Sequence, residues 1–109
     1  MGFFGRLMGL LTRGGRDDDK LLQGMEHAKA KRPERAIEIY DALLKSSSTS
    51  PAVQAGALFN RSLAHSAMNN DDKALADLQA VIAKPNLPTK IQTAARERLA
   101  RLRKRSETD

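Results

Sequence analysis

The chain has 109 residues, 40% hydrophobic and 29% charged, with no Cys and no Trp. That length holds one domain with one modest core, and the absence of Cys excludes disulfides and thiolate metal sites while suiting a reducing compartment. Three Phe and one Tyr argue against an all-β protein and against modules that stack bases; the net charge of +6 is concentrated in residues 89–109, whereas residues 1–19 sum to zero.

The first segment, residues 1–16, differs from the rest. On a 100° helical wheel Phe3, Phe4, Leu7, Met8, Leu10 and Leu11 share one face, with Gly2, Gly5, Arg6, Gly9, Thr12 and Arg13 opposite. Such a segment suits a membrane interface, a neighbouring copy of the chain or the domain's own surface. Arg6 stands where a myristoylation signal wants Ser or Thr. No small-x-small cleavage site follows, so a secretory signal is not expected. No run approaches the roughly 20 apolar residues of a membrane span.

Gly14 and Gly15 interrupt the pattern. Asp17, Asp18 and Asp19 then offer a cap and first-turn acids for a helix to about Lys31. Pro33 ends it and suits the first turn of the next helix, Glu34 to Lys45, whose stripe is Ala36, Ile37, Tyr40, Leu43 and Leu44. SSSTS at 46–50 is a polar loop, and Ser50-Pro51 starts a third helix running to about Met68. After Asn69-Asn70-Asp71, a fourth helix from Asp72 to Lys84 carries Ala74, Leu75, Leu78, Val81 and Ile82. Pro85 and Pro88 bracket a break before a fifth, Thr89 to Arg105, with Ile91, Ala94, Ala95, Leu99 and Leu102 apolar. Residues 106–109 read as a disordered tail.

A shift of 38 residues lays Gly24 on Ser62, His27 on His65, Ala36 on Ala74, Tyr40 on Leu78, Ile37 on Leu75 and Leu43 on Val81. Each unit therefore has a small residue followed at +3, +12 and +16 by the same kinds of residue. This pattern resembles the tetratricopeptide repeat, in which small residues in both helices of a hairpin permit close approach and larger ones fill the gap. Gly24, Ala36 and Tyr40 match well; Ser62, Ala74 and Leu78 match loosely. His27 and His65 depart from it, standing where the family places a bulky aromatic. The unit is also longer than the usual ~34 residues, and the Ser-rich loop accommodates the excess.

The resemblance implies an all-α, short right-handed solenoid of antiparallel helix hairpins, with units at about 20–48 and 54–86 and a capping helix at 89–105 inside a domain of residues 17–105. It also implies a groove for a partner's peptide or helix, with Gln23, His27, Asn60, Arg61 and His65 as candidate contacts. The implied role is a non-enzymatic scaffold or adaptor. No cofactor, metal ligand set or catalytic constellation is expected, because the residues hold no phosphate loop and no nucleophile with a base.

The competing reading is a peripheral adaptor on an anionic membrane or polyanion. It would use the N-terminal segment and the cations Arg96, Arg101, Arg103, Lys104 and Arg105. Nucleic acid is not expected, since no binding signature is present. Self-association through the N-terminal segment and a cytoplasmic location, on the inner face of a membrane in the competing reading, complete the expectations.

Overall fold

A computed structural model describes residues 15–108. These residues form five helices: α1 (Arg16–Lys29), α2 (Pro33–Lys45), α3 (Pro51–Ala67), α4 (Asp71–Ala83) and α5 (Thr89–Thr108). No strand occurs among the described residues. The apolar residues Phe3, Phe4, Leu7, Met8, Leu10 and Leu11 lie outside them.

Local chemistry explains most of the boundaries. Pro33 and Pro51 open α2 and α3, where a missing N–H costs no helical bond. Ser50 caps α3, its Oγ accepting the Val53 N–H at 3.2 Å. At α1 the capping position is Gly15, with φ 134° and no side-chain cap. Asp17, Asp18 and Asp19 therefore act as first-turn acids facing the positive end of the helix dipole, not as the cap. At the other end of the chain, α5 continues through Ser106 and Glu107 to Thr108, past the end at 105 read from the sequence. No Gly or Pro intervenes there to stop it.

The α1–α2 and α3–α4 turns are built alike, bond for bond. In the first, the N–H groups of Ala30, Lys31 and Arg32 donate to the carbonyls of Glu26, Ala28 and His27 at 3.0, 3.1 and 2.9 Å. In the second, those of Met68, Asn69 and Asn70 donate to Ala64, Ser66 and His65 at 3.2, 3.0 and 2.8 Å. Lys31 and Asn69 both take φ 63°. A left-handed residue after a helix lets the next N–H groups turn back onto its last carbonyls, which otherwise lack partners.

Consecutive helices pack on one another, and α1 also packs on α3. Side-chain bonds show the pairings to be antiparallel. Gln54 and Arg61 of α3 meet Lys84, just past the end of α4, and Asp77 within it. Lys84 and Asp71 in turn meet Gln92 and Arg105 of α5. One partner's number falls as the other's rises, so α3 and α5 run in the same direction on either side of α4.

The core follows the expected stripes. Ala36, Tyr40, Ala74, Leu78, Val81, Ile91 and Ala95 are fully buried, with Leu21, Leu43, Val53, Phe59 and Leu102 nearly so. Each large apolar side chain so buried contributes roughly 1.5–3 kcal/mol against exposure. Tyr40 lies on Gly24: a Cβ added there would sit 2.5 Å from the ring's Cε1. The close approach read from the sequence at Gly24 is therefore real, and only a hydrogen side chain leaves room for that ring.

Candidate binding surfaces

Helix α3 separates two surfaces. Its residues at 61 and 65 face one way, toward α2 and α4. Residues 52, 56, 59 and 63 recur at the i, i+4, i+7, i+11 spacing of an opposite stripe, and Phe59 brings that stripe to α5.

The first surface is electrostatic. The Arg61 guanidinium grips Asp77 with two bonds, Nε to Oδ2 at 2.9 Å and Nη2 to Oδ1 at 2.7 Å. Its Nη1 donates to Asp41 Oδ1 at 2.8 Å. One Arg thus ties α2, α3 and α4 together. The Asp77 side chain is 7% exposed, against 24% for Arg61 and 41% for Asp41. The forked geometry suits the carboxylate. It raises the Arg61 pKa above its ordinary value, the bond to Asp77 outweighing the opposing effect of burial.

His65 is buried beside this network. Its Nε2 lies 3.9 Å from Asp77 Oδ2, too far for a hydrogen bond, and its Nδ1 has no hydrogen-bond partner. Burial pushes its pKa below the ordinary value. Arg61 and Lys73 push the same way, while Asp77 and Asp41 oppose. The lowered pKa favours a neutral imidazole, packed here as a small aromatic. A shallow cleft of about 390 Å³ opens here, lined by Ile37, Asp41, Arg61, His65, Lys73, Ala76 and Asp77.

The second surface is more apolar. A cleft of about 440 Å³ lies between α3 and α5, lined by Phe59, Thr89, Lys90, Thr93, Ala94, Glu97 and Arg101. Phe59 is its buried floor, at 6% exposure. Thr89, Thr93 and Ala94 offer methyl groups, and Lys90, Glu97 and Arg101 form a charged rim. An apolar floor with a polar rim is the usual anatomy of a site for a protein segment.

The groove residues read from the sequence do not form one surface. Gln23 is exposed, and half-buried His27 accepts the Arg32 Nε–H on Nδ1 at 3.1 Å. Asn60 is buried, donating from Nδ2 to the Gly56 carbonyl at 2.8 Å. Arg61 and His65 belong to the charged network on the other side of α3. Among the cations read as polyanion contacts, Arg96, Arg103 and Lys104 are exposed, and Arg101 lines the apolar cleft. Arg105 bonds Ser66 and Asp71. Arg98 is half-buried with its Nε lacking a hydrogen-bond partner; burial, then Arg101 and Arg105, lower its pKa.

The missed cleft did leave a signal. Carried one unit further, the 38-residue shift lays Gln54 on Gln92 and Ala57 on Ala95. It also lays Ala52, Gly56, Phe59 and Leu63 on Lys90, Ala94, Glu97 and Arg101, the α5 wall of the cleft. Lys84 bonds both glutamines, its Nζ donating to Gln54 Oε1 and its carbonyl accepting from Gln92 Nε2, each at 3.2 Å. Among the described residues no group of three His, Cys, Asp or Glu side chains gathers to hold a metal, and no helix is long and apolar enough to cross a membrane.

Comparison with known proteins finds no family model that matches the chain, and no curated protein or solved structure that matches it.

Proposed function

We infer that this chain is a helix-hairpin repeat module of the tetratricopeptide type, serving as a non-enzymatic scaffold that holds a segment of a partner protein. The observation that carries the reading is the repetition of the two hairpin turns, with equivalent hydrogen bonds and left-handed residues at the same 38-residue spacing. The packing of small on large agrees with it: Gly24 beneath Tyr40, with Ala36 and Ala74 both fully buried. In this reading α5 is the first helix of a third unit and acts as the cap, its outer positions Arg96, Ala100 and Arg103 exposed to water. A polar outer face is what an end helix of a repeat stack requires.

The binding surface assigned to the module is the α3–α5 cleft. Arg61 is already held by Asp77 and Asp41 and His65 is buried, whereas the rim of the cleft is exposed. The test is affinity capture with the intact chain, with Thr93→Arg as the blocking variant and Ala76→Arg, in the charged cleft, as control. A protein captured by the intact chain and by Ala76→Arg, but lost with Thr93→Arg, is the expected result. Equal capture by all three overturns the assignment.

A second reading, an adaptor on anionic surfaces, draws on the exposure of Arg96, Arg103 and Lys104 along α5. Flotation with phosphatidylserine vesicles tests it directly, and its cation contacts predict loss of flotation at high salt.

A further inference from the structure

Phe59 and the α5 wall present an apolar cleft, and the same chain carries an apolar segment of matching size just upstream of α1. We propose that residues 3–11 occupy the α3–α5 cleft of their own chain, so that the module carries an internal competitor for the partner segment; this rests on the cleft being the binding surface.

Direction comes first. Helices α1, α3 and α5 run the same way, so the start of α1 lies at the end of the molecule where α3 and α5 also begin. The cleft reaches that end through Thr89 and Lys90, at the start of α5. Gly15 precedes α1 with φ 134°, a conformation that side chains with a Cβ rarely adopt. The chain thus enters α1 through a bend that glycine permits, with Gly14 beside it.

Reach comes next. Packed helices lie about 8–10 Å apart, and residues 12–15 extended span about 13 Å. That brings the chain from α1 to α3, and residues 3–11 carry it on toward α5. Residues 3–11 cover roughly 13 Å if helical and up to about 30 Å if extended. The cleft wall from Thr89 to Arg101 rises about 18 Å, within that range.

Chemistry selects the occupant. The segment offers Phe3, Phe4, Leu7, Met8, Leu10 and Leu11 on one face. The receiving surface is Phe59 of α3 with the methyl groups of Thr89, Thr93 and Ala94 of α5. On α1, Leu22 is 48% exposed, a large apolar side chain left at the surface. The rim provides Glu97 for Arg6 or Arg13.

An anionic bilayer is the weaker occupant. Asp17, Asp18 and Asp19 cancel Arg6, Arg13 and Arg16 within one short stretch, which removes most of the attraction to anionic lipid. A second copy is weaker still at micromolar concentration. A short tether holds the segment near its own cleft at an effective concentration on the order of millimolar.

The absence of Cys makes the test clean. In the intact chain, Leu7→Cys is paired with Thr93→Cys, an exposed cleft position, and oxidised with oxidised glutathione. The control pairs Leu7→Cys with Ala76→Cys, also exposed but in the charged cleft. Docking in its own cleft gives an intramolecular disulfide for the Thr93 pair. Its yield is independent of protein concentration and about a thousandfold above linked dimer at micromolar protein, and the Ala76 pair stays unlinked. Linked dimers that increase with concentration assign the cleft to a second copy and overturn the proposal. Equal yields in the two pairs, or loss of the Thr93 link when phosphatidylserine vesicles float the chain, overturn it in favour of a free segment or a membrane.

Removing residues 1–14 should raise partner capture. A selective link with capture that ignores Thr93→Arg leaves the docking standing and removes the binding reading. Capture that depends on the cleft without a selective link does the reverse.

Discussion

The two hairpins share a turn and differ in what packs behind it. In the first, Gly24 admits the ring of Tyr40. In the second, Ser62 and Leu78 take those places, both buried, with the Ser62 hydroxyl turned back to the Phe59 carbonyl. The turns repeat their hydrogen bonds, yet the second hairpin adds the Arg61–Asp77 pair where the first has Gln23 and Ile39. The comparison teaches that like turns accept unlike fillers: size and charge of the packed side chains make the two hairpins distinct.

The largest expected effect comes from breaking what only the second hairpin has. Asp77→Ala leaves Arg61 with only its exposed partner, and Arg61→Met leaves a nearly buried carboxylate unpaired. Each should cost about 3–5 kcal/mol in denaturant unfolding. Asp41→Asn removes an exposed carboxylate and should cost about 0–1 kcal/mol. Equal losses at Asp41 and Asp77 would show that burial does not set the strength of this network.

Next is the filler pair itself. Gly24→Leu should overpack against Tyr40 and lower stability by about 1–3 kcal/mol. Gly24→Ser alone clashes with the ring, but Gly24→Ser with Tyr40→Leu copies the second hairpin. The double variant should therefore be more stable than the sum of its single changes, a coupling of about 0.5–3 kcal/mol in a double-mutant cycle. Strict additivity would separate the two positions and break the comparison between the hairpins.

Tyr40 offers a smaller and opposite change. Its hydroxyl is buried without a hydrogen-bond partner, and burial raises its pKa above the ordinary range. Tyr40→Phe keeps the ring on Gly24 and removes an uncompensated polar group, so the melting temperature should hold or rise. A clear fall would show that the hydroxyl has a bonded partner.

The smallest effect is the pH response of His65. Its pKa is lowered in the folded chain, first by burial. The unfolded chain therefore binds the proton more readily. Stability is complete above about pH 6.5 and declines as pH falls below the unfolded value toward the lowered folded one. His65→Gln should flatten that decline relative to the parent. Identical profiles for the parent and His65→Gln would remove His65 as its source.

Much of the fold was legible in the residues. Pro33, Pro51 and Ser50 mark helix starts by local chemistry. Apolar spacing marks the stripes, and Gly24 with Tyr40 marks a close contact. The binding surfaces were less legible. Arg61 and Asp77 are sixteen positions apart, and nothing local says that they meet or that Asp41 joins them. Nothing local sets Phe59 apart in α3. Its role as a cleft floor depends on α5 returning beside α3.

By itself the sequence determined five helices, their approximate limits and a 38-residue repetition, because caps, prolines and helical periodicity act over a few residues. Tertiary structure decided which face of α3 is spent on ion pairs and which is left as a cleft. That choice depends on which helices pack on which side, and long-range contact leaves no local trace. It also decided that Asn60 and His65 are buried, since burial belongs to the assembled helices and not to the residue type.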